Sequence, residues 1–292
     1  MTEKKSRVTY STIFALCVIL GLCGWGTVEV QAALGPTLSS DTVVYRWAPP
    51  EEGGGLIAID DLVNGKSLLD AGRELPTWWR VKLKDGQTVS NTDLPCKIAT
   101  RGGFLTFTWT GDVRVTVTAR LDDDGALLRS RISVEAIKEG VGLRDVVFPV
   151  IDGIRPLSTN AADDRLLLAR RTGYTSPTPL ITGKAENYRY CIEYYMQFTA
   201  LLGDDRGLYI GEHDPTAAWK DTQWSANAQA QTLTYDISHP VLDWGSDAPV
   251  RQYESPGDCV IGPFEGDWFD VACIYRKWAV TAPWCAKGPM YQ

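Results

Sequence analysis

"FLTFTWTGDVRVTVTARL", residues Phe104–Leu121, is the stretch on which the fold turns. Phe104, Thr106 and Thr108 alternate with Leu105, Phe107 and Trp109, and Thr110-Gly111-Asp112 then breaks the run. Beyond the break, Val113, Val115, Val117 and Ala119 fall on one face and Arg114, Thr116, Thr118 and Arg120 on the other. Successive side chains of a strand point to opposite sides. A period of two with one apolar face therefore predicts an antiparallel hairpin wetted on one side.

The same pattern continues outward. Asp122-Asp123-Asp124-Gly125 reads as a hairpin turn, because a calcium loop needs alternating ligands and a later Glu. "ALLRSRISVEAI" (126–137) returns as a strand, and "GGGLIAIDDLVNGKSLL" (53–69) is a strand, an Asn64-Gly65 turn and a strand. "MQFTALLGDDRGLYIGEHD" (196–214) repeats the design, with strands ending near Leu202 and His213 around a Gly203-to-Gly207 turn. "QTLTYDISHP" (231–240) and "DCVIGPF" (258–264) add two more. Residues 155–190, holding Pro177 and Pro179, carry less strand signal and read as a long excursion across one end. In "TWWR" (77–80), alternation allows at most one of Trp78 and Trp79 into the core. No helix is expected before Gly266. Many short strands at hairpin spacing predict an all-β, antiparallel sandwich over residues 33–265.

The last segment differs in kind. Trp268, Val271, Ala272, Tyr275, Trp278 and Ala279 recur at helical spacing, Gly266-Asp267 suits a helix start, and Pro283 ends it. One C-terminal α-helix is expected, with an aromatic stripe that must dock on something.

At the other end, Lys4, Lys5 and Arg7 precede an uncharged apolar run from Ile13 to Val28, followed by Val30-Gln31-Ala32. That is the pattern of a signal peptide over residues 1–32, implying a secreted or periplasmic protein. Gly21, Gly24 and Gly26 interrupt the run, which is short for a bilayer span, so no stable membrane insertion is expected. The 292 residues carry 29 Lys+Arg against 36 Asp+Glu, a net charge of −7, which argues against nucleic acid and anionic membranes as partners. Cys96, Cys191, Cys259, Cys273 and Cys285 follow the leader. One or two disulfides with a thiol left over, or buried free thiols, both fit that count. No CxxC spacing or Cys/His cluster is present, so no metal is expected, and no cofactor either.

"MQFTALLGDDRGLYIGEHDP" (196–215) followed by "GDWFDVACIYRKWAVTAPW" (266–284) resembles a secreted, mostly bacterial family of glycoside-hydrolase-like proteins of unknown function. In that family a sandwich similar to the galactose-mutarotase supersandwich precedes a (β/α)8 barrel. A Gly-Asp-Trp helix with a Tyr-Arg-x-Trp-Ala segment links the two. The resemblance implies that residues 266–292 are the linker helix and the start of a barrel, and that the catalytic carboxylates lie on barrel strands absent from this chain. Trp268, Tyr275, Trp278 and Trp284 would then be domain-interface residues.

No catalytic residue is singled out within the 292 residues. GxSxG, HExxH, the P-loop and GxGxxG are all missing, and spacing alone pairs no two acids for glycoside hydrolysis. The segment from Glu212 to Trp244 is richer. His213, Asp214, Trp219, Trp224 and Trp244 are candidate carbohydrate contacts, since sugars stack on aromatic rings while carboxylates accept their hydroxyls. The leading expectation is an accessory sandwich that supports a barrel and contacts a polysaccharide or glycan without catalysis of its own. A free-standing carbohydrate-binding module is the first alternative. A mutarotase-type sugar epimerase using His213 or His239 with Glu212 or Glu254 is the second, and a structural cell-envelope protein the third.

Overall fold

The computed structural model describes residues 35–72, 75–171, 173–243, 248–286 and 288; the expected leader, residues 1–32, lies outside them. A small antiparallel sheet comes first, with β1 (Thr37–Ser39), β2 (Val43–Trp47), β3 (Leu56–Asp61) and β4 (Lys66–Ser67) side by side in that order. The following strands are β5 (Arg80–Leu83), β6 (Thr88–Ser90), β7 (Cys96–Arg101), β8 (Phe104–Thr110), β9 (Val113–Leu121) and β10 (Leu128–Ala136). Next come β11 (Leu143–Ile154), β12 (Arg165–Arg170), β13 (Tyr174–Pro177), a single helical turn α1 (Pro179–Thr182), and β14 (Glu186–Tyr190). The chain continues through β15 (Tyr194–Leu202), β16 (Arg206–His213), β17 (Lys220–Asn227), β18 (Thr232–Pro240), β19 (Gln252–Glu254), β20 (Asp258–Glu265) and the helix α2 (Trp268–Ala279).

Strands β5 to β20 form one 16-stranded path, β6-β5-β11-β18-β17-β14-β15-β16-β20-β10-β9-β8-β7, with β12 and β13 beyond β15 and β19 beside β10. Every pairing in it is antiparallel except β14 with β15, whose ladder is the single pair Tyr190 and Tyr194. At that corner the sheet turns back on itself. The first layer is β6-β5-β11-β18-β17-β14 and the second runs from β13 and β12 through β15 to β7. Side chains meet across the gap: the Trp224 indole on β17 donates to Thr199 Oγ1 on β15 at 3.1 Å. This is the expected all-β sandwich with one C-terminal helix.

The hairpin read from Phe104–Leu121 forms as β8 and β9, with Val113, Val115, Val117 and Ala119 all buried. Asp122 Oδ1 accepts the Ala126 and Leu127 N–H groups, which makes the acidic run a turn as expected. Two sequence expectations fail. Residues 155–190 hold three strands and the α1 turn, because Leu166 and Leu168 are buried on the inner face of β12 despite the flanking prolines. Trp78 and Trp79 are both fully buried. They precede β5 rather than lie within it, so strand alternation does not govern them. The Asn91 side chain holds one side of this stretch, accepting the Trp78 N–H at 2.7 Å and donating to the Gly53 and Pro76 carbonyls, while the Trp78 carbonyl accepts the Val150 N–H of β11 at 2.9 Å. One ring turns toward Phe107, edge-on at 5.0 Å, and the other toward Trp109 at 5.3 Å.

The small sheet is tied to the sandwich by two buried links. Tyr45 Oη donates to the Ile261 carbonyl at 2.9 Å, and Arg206 on β16 pairs with the buried Asp61 at 2.6 Å. Cys96, Cys191, Cys259, Cys273 and Cys285 are all free thiols. No helix among the described residues is long and apolar enough to cross a membrane.

Candidate functional site

Strand β16 decides what the expected site residues can do, because its consecutive side chains enter different cores. Glu212 points inward between the layers and His213 outward, beneath α2. Inside, Lys220 at the start of β17 is 1% exposed, and its Nζ lies 2.9 Å from Asp214 Oδ2, 2.5 Å from Gln197 Oε1 and 3.7 Å from Glu212 Oε2. Buried charges are tolerated only when paired and hydrogen-bonded, and Asp214 meets that condition. Besides Lys220 it accepts Thr216 N–H, Thr216 Oγ1–H and Ala218 N–H. Burial pushes its pKa up, but the Lys220 charge and these donors outweigh burial and hold it below the usual carboxylate range.

Glu212 is the opposite case. Its Oε2 has no hydrogen-bond partner among the described residues. Burial, offset only in part by Lys220 and reinforced by Asp214, raises its pKa to about 7. His239 Nε2 approaches Glu212 Oε1 to 4.0 Å and the Phe148 carbonyl to 3.0 Å. Burial, with Lys220 adding to it, depresses His239 to about 4, so the ring is neutral at pH 7. A carboxyl and an imidazole thus meet, as an epimerase would need. The cavity beside Glu212 and Lys220, however, measures about 10 Å³, at most one water and far too small for a sugar ring. Glu254 lies exposed on β19 and does not join them. Among the described residues no three His, Cys, Asp or Glu side chains converge on a metal-sized point.

His213 belongs to the junction with α2. Its ring stacks on Trp278 at 4.7 Å and 9°, Nε2 lies 3.0 Å from Tyr209 Oη, and burial followed by the Arg129 charge depresses it to about 3. The helix itself starts on a capping box: Asp267 Oδ1 accepts the Phe269 N–H, and Asp270 Oδ2 the Asp267 N–H. Val271 and Tyr275 are buried against Phe198, Tyr209 and Val260 of the sheet, and Tyr275 lies 4.8 Å from Phe198. Tyr275 and Trp278, expected to face a second domain, therefore face this sandwich instead. Trp268 (56% exposed) and Trp284 (46%) do remain open, as do Phe269 and Val280, which the sequence reading passed over.

Of the expected carbohydrate contacts, Asp214 and His213 are buried, and Trp224 is a core residue 1% exposed against Tyr235. Trp244 lies outside the described residues. Among the described ones, Trp219 alone presents an exposed ring. Its Nε1 donates to Asp221 Oδ1 at 3.3 Å, and the Arg189 guanidinium sits 4.5 Å from the ring centroid. Arg189 and Asp221 line an open groove of about 520 Å³ on the outer face of β14, β17 and β18, together with Asn187, Gln223, Asp236 and Ser238. Sequence alone could not have assembled it, since its members come from three strands.

No family model and no curated protein matches this chain. Solved structures do match. An α-N-acetylgalactosaminidase from Bifidobacterium bifidum, in complex with GalNAc, superposes with a TM-score of 0.56 at 11% identity, over 84% of this chain and 38% of that one. A family 36 α-galactosidase from Geobacillus stearothermophilus gives 0.51 at 13% identity, over 79% and 40%. A glycosyl hydrolase family 38 protein from Enterococcus faecalis gives 0.51 at 11%, over 86% and 33%. The fold is glycoside-hydrolase-like. Identities this low establish architecture alone, and the chain spans no more than about two fifths of the length of these structures.

Proposed function

We propose that this chain is the accessory β-sandwich of an exported glycoside-hydrolase-type protein, not catalytic by itself, with α2 as its contact to a catalytic barrel domain. The observation that carries the reading is the two-sided helix. One side is spent on the sandwich through Val271, Tyr275 and Trp278, while Trp268 and Phe269 at one end and Val280 and Trp284 at the other stand in solvent. Exposed aromatic groups of this size are the usual mark of an interaction surface. The occupant is a second domain because the glycosidases of similar fold are far longer than the part this chain matches. Export is supported by the basic, apolar and small-residue sequence of positions 1–32.

The buried state of Glu212 and His239 supports the absence of catalysis in the sandwich, since no sugar reaches either. The test is the mass of the native protein in the organism that makes it, detected with an antibody to the sandwich, alongside hydrolysis of aryl glycosides. The expected result is a species more than twice the mass of this chain that is active, while the 292-residue chain alone is not. A native species no larger than this chain, or turnover by the chain itself, overturns the reading.

A further inference from the structure

The groove on the outer face of β14, β17 and β18 is not used by the α2 contact, which lies on the other layer. Pairing register places Asn187, Gln223 and Asp236 directly across from one another on the three strands, and Arg189, Asp221 and Ser238 likewise two residues along. Adjacent strands lie about 4.8 Å apart, so each row spans roughly 10 Å. The volume, about 520 Å³, is within the range of small-ligand sites.

The chemistry of these rows selects a ligand class. Arg189 is bound by Asp221 at 2.8 Å, and Asp236 by Arg80 at 2.7 Å; Glu193, also at the groove, accepts the Arg189 N–H at 3.1 Å. Asp221 and Asp236 thus each have a guanidinium partner, whereas Glu193 holds only the backbone N–H of Arg189, so the carboxylates outnumber the cations by one and the groove disfavours an anion. The amides of Asn187 and Gln223 and the Ser238 hydroxyl make no side-chain hydrogen bond among the described residues. Each amide both donates and accepts. Trp219 adds an apolar ring, 43% exposed, anchored by Asp221 and Arg189 at the groove's edge. Free amides and a free hydroxyl beside an aromatic ring fit a polyhydroxylated ligand, and the excess carboxylate selects against an anionic one.

We infer that this groove binds a neutral oligosaccharide, with Asn187, Gln223 and Ser238 reading hydroxyl groups and Trp219, next to the groove beyond Asp221, offering the ring face that Arg189 leaves open. The inference rests on the carbohydrate-directed reading above but on a different face of the molecule.

The test is affinity electrophoresis of the full chain through gels containing a neutral galactomannan, a neutral β-glucan, anionic polygalacturonate or cationic glycol chitosan. At least one neutral polymer is expected to retard the protein. Trp219→Ala should weaken that retention about fivefold, and Asn187→Ala or Gln223→Ala about two- to fivefold. The last two residues lie on the outer face, so they keep the test valid if Trp219→Ala does not fold. Retardation by the charged polymers only, by none of the four, or unchanged in all three variants overturns the groove. Retention lost in Trp268→Ala but kept in Trp219→Ala places the sugar at α2, which overturns the groove while leaving the accessory-domain reading standing.

Discussion

Replacing Glu212 by Gln removes a proton-binding site from the core, and the consequence for stability is calculable. Burial holds the carboxyl near 7 in the fold against 4.5 when unfolded. Between those values the folded protein keeps a proton that the unfolded chain has released. The stability this contributes is fully present below pH 4.5 and is lost as pH rises through 7. At about 1.4 kcal/mol per tenfold change in proton affinity, the whole effect is roughly 3 kcal/mol, of which about 2.5 falls between pH 5 and pH 8. His239 and His213 run the other way. They titrate near 4 and 3 in the fold against 6.5 unfolded, so they add stability as pH rises from acid toward 6.5. The wild-type curve mixes both signs; the difference between variant and wild type isolates Glu212. Urea unfolding followed by far-ultraviolet circular dichroism should show Glu212→Gln gaining about 2.5 kcal/mol on the wild type from pH 5 to pH 8. An unchanged difference at the two pH values would refute the reasoning.

Lys220→Met should destabilise the fold by about 3–5 kcal/mol at pH 7, read from the urea midpoint, because it leaves Asp214 charged in the core without its cation. Asp267→Ala breaks the capping box of α2 and should cost about 1 kcal/mol, with faster amide exchange confined to the first turn of that helix. Gly207→Ala should lower the melting temperature, since the added methyl would stand 2.2 Å from Phe264 Cζ and 2.7 Å from the Leu201 carbonyl oxygen; an unchanged melting point would refute this close packing of β15, β16 and β20.

The parts of this structure legible in sequence are those where one local rule decides. Val113 to Ala119 alternate, and Asp267, Val271 and Tyr275 carry a cap and a helical period, so β9 and α2 form where expected. The rule failed at Trp78 and Trp79 because they lie just ahead of β5, where the Asn91 side chain, thirteen residues from Trp78, takes the Trp78 N–H that a regular ladder would pair with backbone. It also failed for β12, which pairs with β15, a strand some thirty positions later, and so places Leu166 and Leu168 in the core between the layers. The sequence places Trp219 and Trp224 in one aromatic stretch, but only burial separates Trp224 in the core from Trp219 at the surface. Glu212 and Asp214 stand out in the sequence only as possible sugar-directed groups, and Gln197 and Lys220 look like ordinary surface residues until three strands bring all four together in the core.

The ends of the two sheets limit how this protein can associate. The small sheet stops at β1, three residues long, and β4, two. The large one stops at β6, three residues, and at β7, where Lys97 and Arg101 interrupt the row; β13 ends in Pro177, and β19 again has three residues. Short, charged or proline-terminated borders give a foreign strand too little backbone to zip onto. Growth by strand addition, whether into a filament or into a shared sheet with another polypeptide, is therefore disfavoured at each of these borders. A partner that lies flat against the sheets would instead be recognised by side chains rather than by backbone.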